Sequence, residues 1–334
     1  MRFAPATLAA FLGASTVTLI AGCAGGGPQG STSSLPAAGS RSWMLPQKSG
    51  SKSILVYARD ARTGDVNVYD YANGEQVGTI NEFIIAGCVD AKGDVYLVKF
   101  SGETVLEYAH GGTEPIKTYG PGGELAGCSV DSKGDVAITG TSPGRVTVYA
   151  KGDPNRGATY SNTECETQAS MGYDNKRNII GLGEYDSINV CAVLARAKQE
   201  TTLTTSGITI YSPNGTMWDG KYIAMSDAEA ERENLTGIYQ ATLSGTTLTS
   251  HGETILTDTC YRGYAAVSNP FILGTKNTPV NDRQGKVVVG SNAFCFSSSQ
   301  GGGIEFWHYP KGGNPFKMYV TSDEIAVLAV SIGM

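Results

Sequence analysis

The chain has 334 residues, 40% of them hydrophobic and 17% charged, with a formal net charge of −6 at pH 7. An acidic balance without a Lys/Arg cluster excludes nucleic acid as a partner and argues against docking on anionic lipid through the folded domain. Gly is abundant at 44 residues, and no amphipathic helical pattern runs beyond two turns, which predicts an all-β chain.

Met1-Arg2 supplies one positive charge, and Pro5 to Ile20 is an uncharged, Ala/Leu-rich run closed by small residues. That pattern is a secretory signal rather than a spanning helix. Its end, Leu19-Ile20-Ala21-Gly22-Cys23, resembles the bacterial lipobox. The resemblance implies removal of residues 1–22 and acylation of Cys23, which then anchors the chain to a membrane through lipid. Ala24 in place of Asp resembles outer-membrane sorting where a bacterium has two membranes. The expected location is the cell envelope. The mature chain keeps 24 basic and 31 acidic residues, a net charge of −7.

Residues 23–53 follow as the lipidated N-terminus and a Gly/Ser/Pro-rich tether. Ser42-Trp43-Met44-Leu45-Pro46 interrupts the tether and is expected to pack on the flank of the folded domain, residues 54–334.

Within that domain the chain repeats itself. Ala86-Gly87-Cys88-Val89-Asp90-Ala91-Lys92-Gly93-Asp94-Val95 returns as Ala126-Gly127-Cys128-Ser129-Val130-Asp131-Ser132-Lys133-Gly134-Asp135-Val136. A period of roughly 40–45 residues with alternating strands belongs to radial β architectures, in which no unit buries its own apolar face. Three landmarks recur. The first is an Asp turn: Asp90 to Val95, Asp131 to Val136, Asp174 to Ile179, and a shortened form at Asp219 to Ile223. Turn chemistry accounts for these Asp residues without a metal. The second is Tyr-x-x-Gly, at Tyr71, Tyr108, Tyr149 and Tyr309. The third is an outer strand, such as Pro115 to Tyr119 or Pro315 to Tyr319. Units follow at 83–120, 124–161, 167–210, 212–257 and 260–320. Three strands at the N-terminus, with Ile325 to Ile332 as the missing innermost strand, complete a sixth. The expected fold is an all-β, six-bladed β-propeller closed by strand exchange between its termini, seven blades being the alternative. The inner-strand and turn pattern resembles the NHL-type repeat of six-bladed propellers, and more closely secreted bacterial propeller lipoproteins. The resemblance implies a binding role, with lyases and lactonases as the enzymatic minority.

Beyond Cys23 there are six cysteines, an even number that suggests disulfides in an exported chain. Of the about fifteen pairings open to them, Cys88–Cys128 joins equivalent positions of adjacent repeats. Cys165–Cys191 and Cys260–Cys295 would each lie within one blade. Buried free thiols are the alternative.

Catalytic signals are weak. His110 sits where other repeats carry Asn73, Lys151 and Lys311, a position read as an exposed turn; His251 and His308 also read as structural. No residue is assigned a catalytic role and no resident metal is expected. Loop length separates the two ends of the ring. The Asp and Gly turns are short and uniform, so that end is expected to be featureless. The opposite end carries variable connections, which mark a binding face in repeat proteins. Its candidates are Arg59, Asp60 and Arg62; Glu184, Tyr185 and Asp186; Asp227, Glu229, Glu231 and Glu233; Tyr261 and Arg262; and Asn292 and Phe294. The acidic run from Asp227 would suit Ca²⁺ if it bound a cation. The primary expectation is a lipid-anchored binding or scaffold module for a protein or glycan. The alternative is a metal-assisted lyase or lactonase using carboxylates of that face.

Overall fold

The computed structural model describes residues 42–46, 52–100, 103–141, 144–161, 165, 168–184, 188–195, 197, 199–230, 235–257, 268–273, 285–292, 302–322 and 324–333. Among them no helix is long and apolar enough to cross a membrane. The first blade is built from β1 (Trp43–Met44), β2 (Ile54–Asp60), β3 (Val66–Asp70) and β4 (Gln76–Ile80). The second holds β5 (Ile84–Val89), β6 (Val95–Lys99), β7 (Val105–Tyr108) and β8 (Pro115–Tyr119). The third holds β9 (Leu125–Val130), β10 (Val136–Thr141), β11 (Gly144–Tyr149) and β12 (Gly157–Ser161). The fourth holds β13 (Gln168–Tyr173), β14 (Ile179–Glu184), β15 (Ile188–Val193) and β16 (Glu200–Thr202). The fifth takes β17 (Thr204–Ser206), β18 (Pro213–Trp218), β19 (Ile223–Ala230), β20 (Leu235–Ser244) and β21 (Thr247–Leu256). The sixth holds β22 (Ser268–Leu273), β23 (Lys286–Asn292), β24 (Gly303–Tyr309) and β25 (Lys317–Val320), and β26 (Ile325–Ile332) ends the chain.

These strands form six sheets, and the innermost strands β26, β5, β9, β13, β18 and β22 touch one another in a closed cycle. The fold is a six-bladed β-propeller. Its closure is the expected one: β26 pairs antiparallel with β2, from Ile54 opposite Ile332 to Tyr57 opposite Ala329 and on to Asp60 opposite Ile325. Two blades carry a fifth strand. Trp43 and Met44 pair antiparallel with Thr79 and Gly78 on the outer edge of the first blade, so the apolar island of the tether packs on the flank as a strand. In the fifth blade β17 adds in parallel to β21.

Alternation explains the packing. Successive side chains of a strand point to opposite faces of its sheet, and each sheet here is covered on both faces. Val95 and Leu97 join the apolar cluster shared with the first blade, while Tyr96 and Val98 join the one shared with the third. Val287 and Val289 face the first blade, and Val288 faces the fifth. Six such clusters fill the six junctions of the ring.

The Asp turns form as expected. Asp90 Oδ1 accepts hydrogen bonds from the N–H groups of Lys92 and Asp94, each at 2.9 Å, and Asp131 Oδ1 accepts from Lys133 and Asp135 at 2.8 Å. Asp174 and Asp219 repeat the arrangement. The tyrosines tie neighbouring blades together. Tyr309 Oη donates to Asp219 Oδ2 at 2.8 Å, from the sixth blade to the fifth. Tyr119 Oη donates to Glu107 Oε2 of its own blade at 2.5 Å and lies 3.0 Å from the Gly152 carbonyl of the next, while Tyr319 Oη donates to the Ala72 carbonyl of the first blade at 2.6 Å. Burial pushes the hydroxyls of Tyr119 and Tyr309 well above the usual phenol range, so these donors keep their protons.

Two of the expected disulfides are present. Cys88–Cys128 links the inner strands of the second and third blades, with Cα atoms 5.7 Å apart. Cys165–Cys191 lies within the fourth blade, at 6.0 Å. Cys260 and Cys295 lie outside the described residues, as do Cys23 and residues 1–41. The expectation of uniformly short turns at one end fails in the sixth blade, where residues 274–285 connect β22 to β23.

Candidate functional site

The end of the ring opposite the Asp turns, here the loop face, carries connections that range from residues 142–143 in the third blade to 293–302 in the sixth. It is best defined at the junction of the first and second blades. There Asp60, buried, accepts at Oδ1 from the N–H of Arg62 at 2.7 Å and from Thr63 at 3.3 Å. This turn carries Arg62 outward, its side chain 66% exposed and its Nε 3.9 Å from Asp60 Oδ1. Gly64, at φ +81°, lies beneath Phe83, where a Cβ would stand 2.3 Å from the ring. The absence of a side chain lets the turn support that aromatic.

Phe83 is 43% exposed and Phe100 63% exposed. Their ring centroids are 4.9 Å apart with planes tilted by 45°. The Phe100 N–H donates to the Phe83 carbonyl at 3.0 Å, which locks the two connections together. Lys99 Nζ pairs with Glu82 Oε2 at 2.7 Å beside them. The predicted candidate Arg59 is half-buried in β2, and its Nε is buried without a hydrogen-bond partner among the described residues. Of the six exposed large hydrophobic side chains among the described residues, Phe83, Phe100, Tyr211 and Val320 lie on connections or strand ends of this face. Of these four, Phe83 and Phe100 are in ring contact with one another.

Sequence reasoning missed both phenylalanines, although the repeat held a signal. Aligned on the Gly-Cys pairs and Asp turns, Phe83 corresponds to Gly123 and Phe100 to Thr141. The third blade, the repeat most similar in sequence, therefore carries no aromatic at either position.

Asp227 corrects an expectation. It is 0% exposed, and its carboxylate accepts from the N–H of Tyr211 at 2.9 Å and of Ser212 at 2.8 Å. It clamps the link from the fourth to the fifth blade instead of facing a ligand. Replacing Asp227 with Ala strands two buried donors and is expected to cost about 2–5 kcal/mol. Urea denaturation measures this, and a loss under about 1 kcal/mol would contradict the clamp. Glu184 and Asn292 end β14 and β23 at the loop face, and Glu229 lies one residue before the end of β19. Tyr185, Asp186, Glu231, Glu233, Tyr261, Arg262 and Phe294 lie outside the described residues.

The clamped link also walls a depression of about 350 Å³ between the fourth and fifth blades. Val190, Leu203, Ile208 and Ile210 give it an apolar lining, and Asn189, Thr205 and Thr209 add uncharged polar groups.

The three histidines do not converge. His251 stacks on Tyr222 and lies 2.8 Å from Thr242 Oγ1, and His308 stacks on Phe316. His110 is on the opposite end of the ring from the loop face. Contrary to the expected exposed turn it is only 9% exposed, because the chain's last strand covers it. Among the described residues no three His, Cys, Asp or Glu side chains are grouped to hold a metal.

No protein-family model matches the chain, and no curated protein does. Solved structures are similar in backbone. A protein of unknown function from Bacteroides caccae superposes with a TM-score of 0.59 at 11% identity, over 84% of this chain and 99% of that one. The likeness shows the fold alone. A chain of the mitotic checkpoint complex (TM-score 0.47, 13% identity, 74% and 68% covered) and hydrazine synthase of Kuenenia stuttgartiensis (0.48, 8%, 72% and 66%) are more distant and carry no argument. The propeller fold and the two disulfides fit an extracellular module.

Proposed function

We propose that the chain is a lipid-anchored, extracytoplasmic binding module whose loop face recognises a polypeptide or a glycan. The exposed Phe83–Phe100 pair carries this reading. A soluble body of this charge gains nothing by displaying two tilted aromatic rings on rigid connections unless a partner covers them. The Arg62 and Lys99–Glu82 groups beside the pair supply the polar rim that a specific contact uses. The lipobox ending at Cys23 and the disulfides support the placement outside the cytoplasm.

In-cell photo-crosslinking tests it. A crosslinking amino acid at position 100 is expected to give discrete adducts that Phe83→Ser abolishes, while one at position 133, on the Asp-turn end, gives none. Adducts from position 133 alone, or none from position 100, would overturn the loop-face reading. Cys23→Ser in the same strain tests the anchor separately. The variant is expected to stay uncleaved and to leave the membrane fraction, and normal membrane retention would overturn lipidation only.

A further inference from the structure

The tail strand is fastened by an ordered chain of hydrogen bonds that ends on a histidine. His110 Nδ1 lies 2.6 Å from Ser331 Oγ, and Ser331 Oγ donates to the Gly93 carbonyl at 2.5 Å. A hydroxyl has one hydrogen to give. Ser331 spends it on Gly93, so its oxygen accepts from His110, and the ring carries its hydrogen on Nδ1. Nε2 is then a bare lone pair, and it is buried without a hydrogen-bond partner among the described residues. The joint is tight elsewhere too. The Gly111 N–H donates to Tyr57 Oη of β2 at 3.0 Å. At Gly93, φ +90°, a Cβ would stand 2.3 Å from the Ile332 carbonyl oxygen. Both turns of the second blade thus grip the last two residues of β26.

No counter-charge is supplied to the imidazole. From β26 it meets Ser331, which does not titrate. From β2 the neighbouring group is Tyr57, which burial holds protonated with its pKa pushed up to about 12. The Asp turn contributes Asp90, Lys92 and Asp94; Asp90 is engaged with the N–H groups of the other two. Glu114 follows His110 on its own turn. None of these makes a hydrogen bond or ion pair with the ring among the described residues.

We propose that ring closure is acid-sensitive, with His110 as the latch: protonation at Nε2 places a second N–H and a positive charge where nothing accepts them, and β26 loosens. Burial alone lowers the imidazole pKa from its ordinary value. The unfolded ring therefore takes up a proton at higher pH than the folded one. The latch is fully effective above about pH 6.5 and weakens as pH falls below it. This inference is independent of what the loop face binds. It also gives a reason for His at this position, where other repeats have Asn73, Lys151 and Lys311: the turns of the second blade reach Ser331 and Ile332 at the end of the exchanged strand.

Amide hydrogen exchange on the full chain between pH 8 and pH 5, corrected for intrinsic rates, reads the latch directly. Protection of β26 is expected to fall on acidification relative to β20 and β21, by about tenfold per unit of pKa depression. His110→Asn is expected to remove that difference. An equal slope in the variant, or no slope in the wild type, would overturn the proposal. Should the variant not fold, ¹⁵N resonances of the wild-type ring decide the matter. The neutral Nδ1–H form persisting below the ordinary histidine range supports the latch; an Nε2–H ring, or titration at the ordinary value or above, refutes it.

Discussion

A chain ending at residue 324 is expected to lose cooperative folding. Its missing strand, β26, contributes Ile325, Val327, Leu328 and Val330, each at most 1% exposed. Burying such side chains stabilises by roughly 1.5–3 kcal/mol apiece. Their loss comes to about 6–12 kcal/mol, comparable with the entire stability of a typical domain, about 5–15 kcal/mol. The truncation also uncovers the backbone edge of β2 along its whole length, from Ile54 to Asp60. An apolar open edge of that kind pairs with other chains. Circular dichroism melting and sedimentation measure both effects. A truncated chain that melts like the wild type and stays monomeric would show that β26 does not close the ring.

Replacing Cys88 and Cys128 together with Ser is expected to give the next largest loss. The bridge closes a loop with a sequence separation of 40. In the chain-entropy account such a loop constrains the unfolded chain by about 4 kcal/mol. The two sites are buried in the cluster with Tyr96, Val98, Val136 and Ile138, so the serines add an unfavourable burial of hydroxyls. Breaking the Cys165–Cys191 bridge, separation 26, is expected to cost about 3.5 kcal/mol by the same account. Urea titrations of the two double-serine variants, without reductant, give the comparison. A Cys88/Cys128 variant within about 1 kcal/mol of wild type would mean that blade packing alone holds the inner strands together.

Much of the scaffold is written in short-range code. Asp90, Asp131 and Asp174 form turns whose hydrogen bonds close within four residues, so their spacing exposes them to direct reading. The closure was legible from the odd strand count at the two termini. The pairing of Cys88 with Cys128 follows once equivalent inner strands lie side by side. What escaped depends on which blade edges meet. Tyr319 reads as a repeated outer-strand residue, yet its acceptor lies 247 positions away. Asp227 shares its parity with Glu229, Glu231 and Glu233, and nothing local shows that Tyr211 and Ser212 point their N–H groups at it. Composition places Phe83 and Phe100 with the core phenylalanines. Only the path of the connections brings them out to solvent as a pair.

The first strand has one more implication. β4 runs toward the loop face, and β1 runs against it. Ser42, whose Oγ accepts from the Asn81 N–H at 3.0 Å, therefore stands at the rim of that face, two residues along the link from Phe83. Cys23 precedes Ser42 by nineteen residues, which stretched fully reach about 65 Å. On the proposed anchoring, the chain enters the ring beside the exposed phenylalanines and not at the Asp-turn end. On that anchoring, this length is an upper bound on the height of the loop face over the lipid.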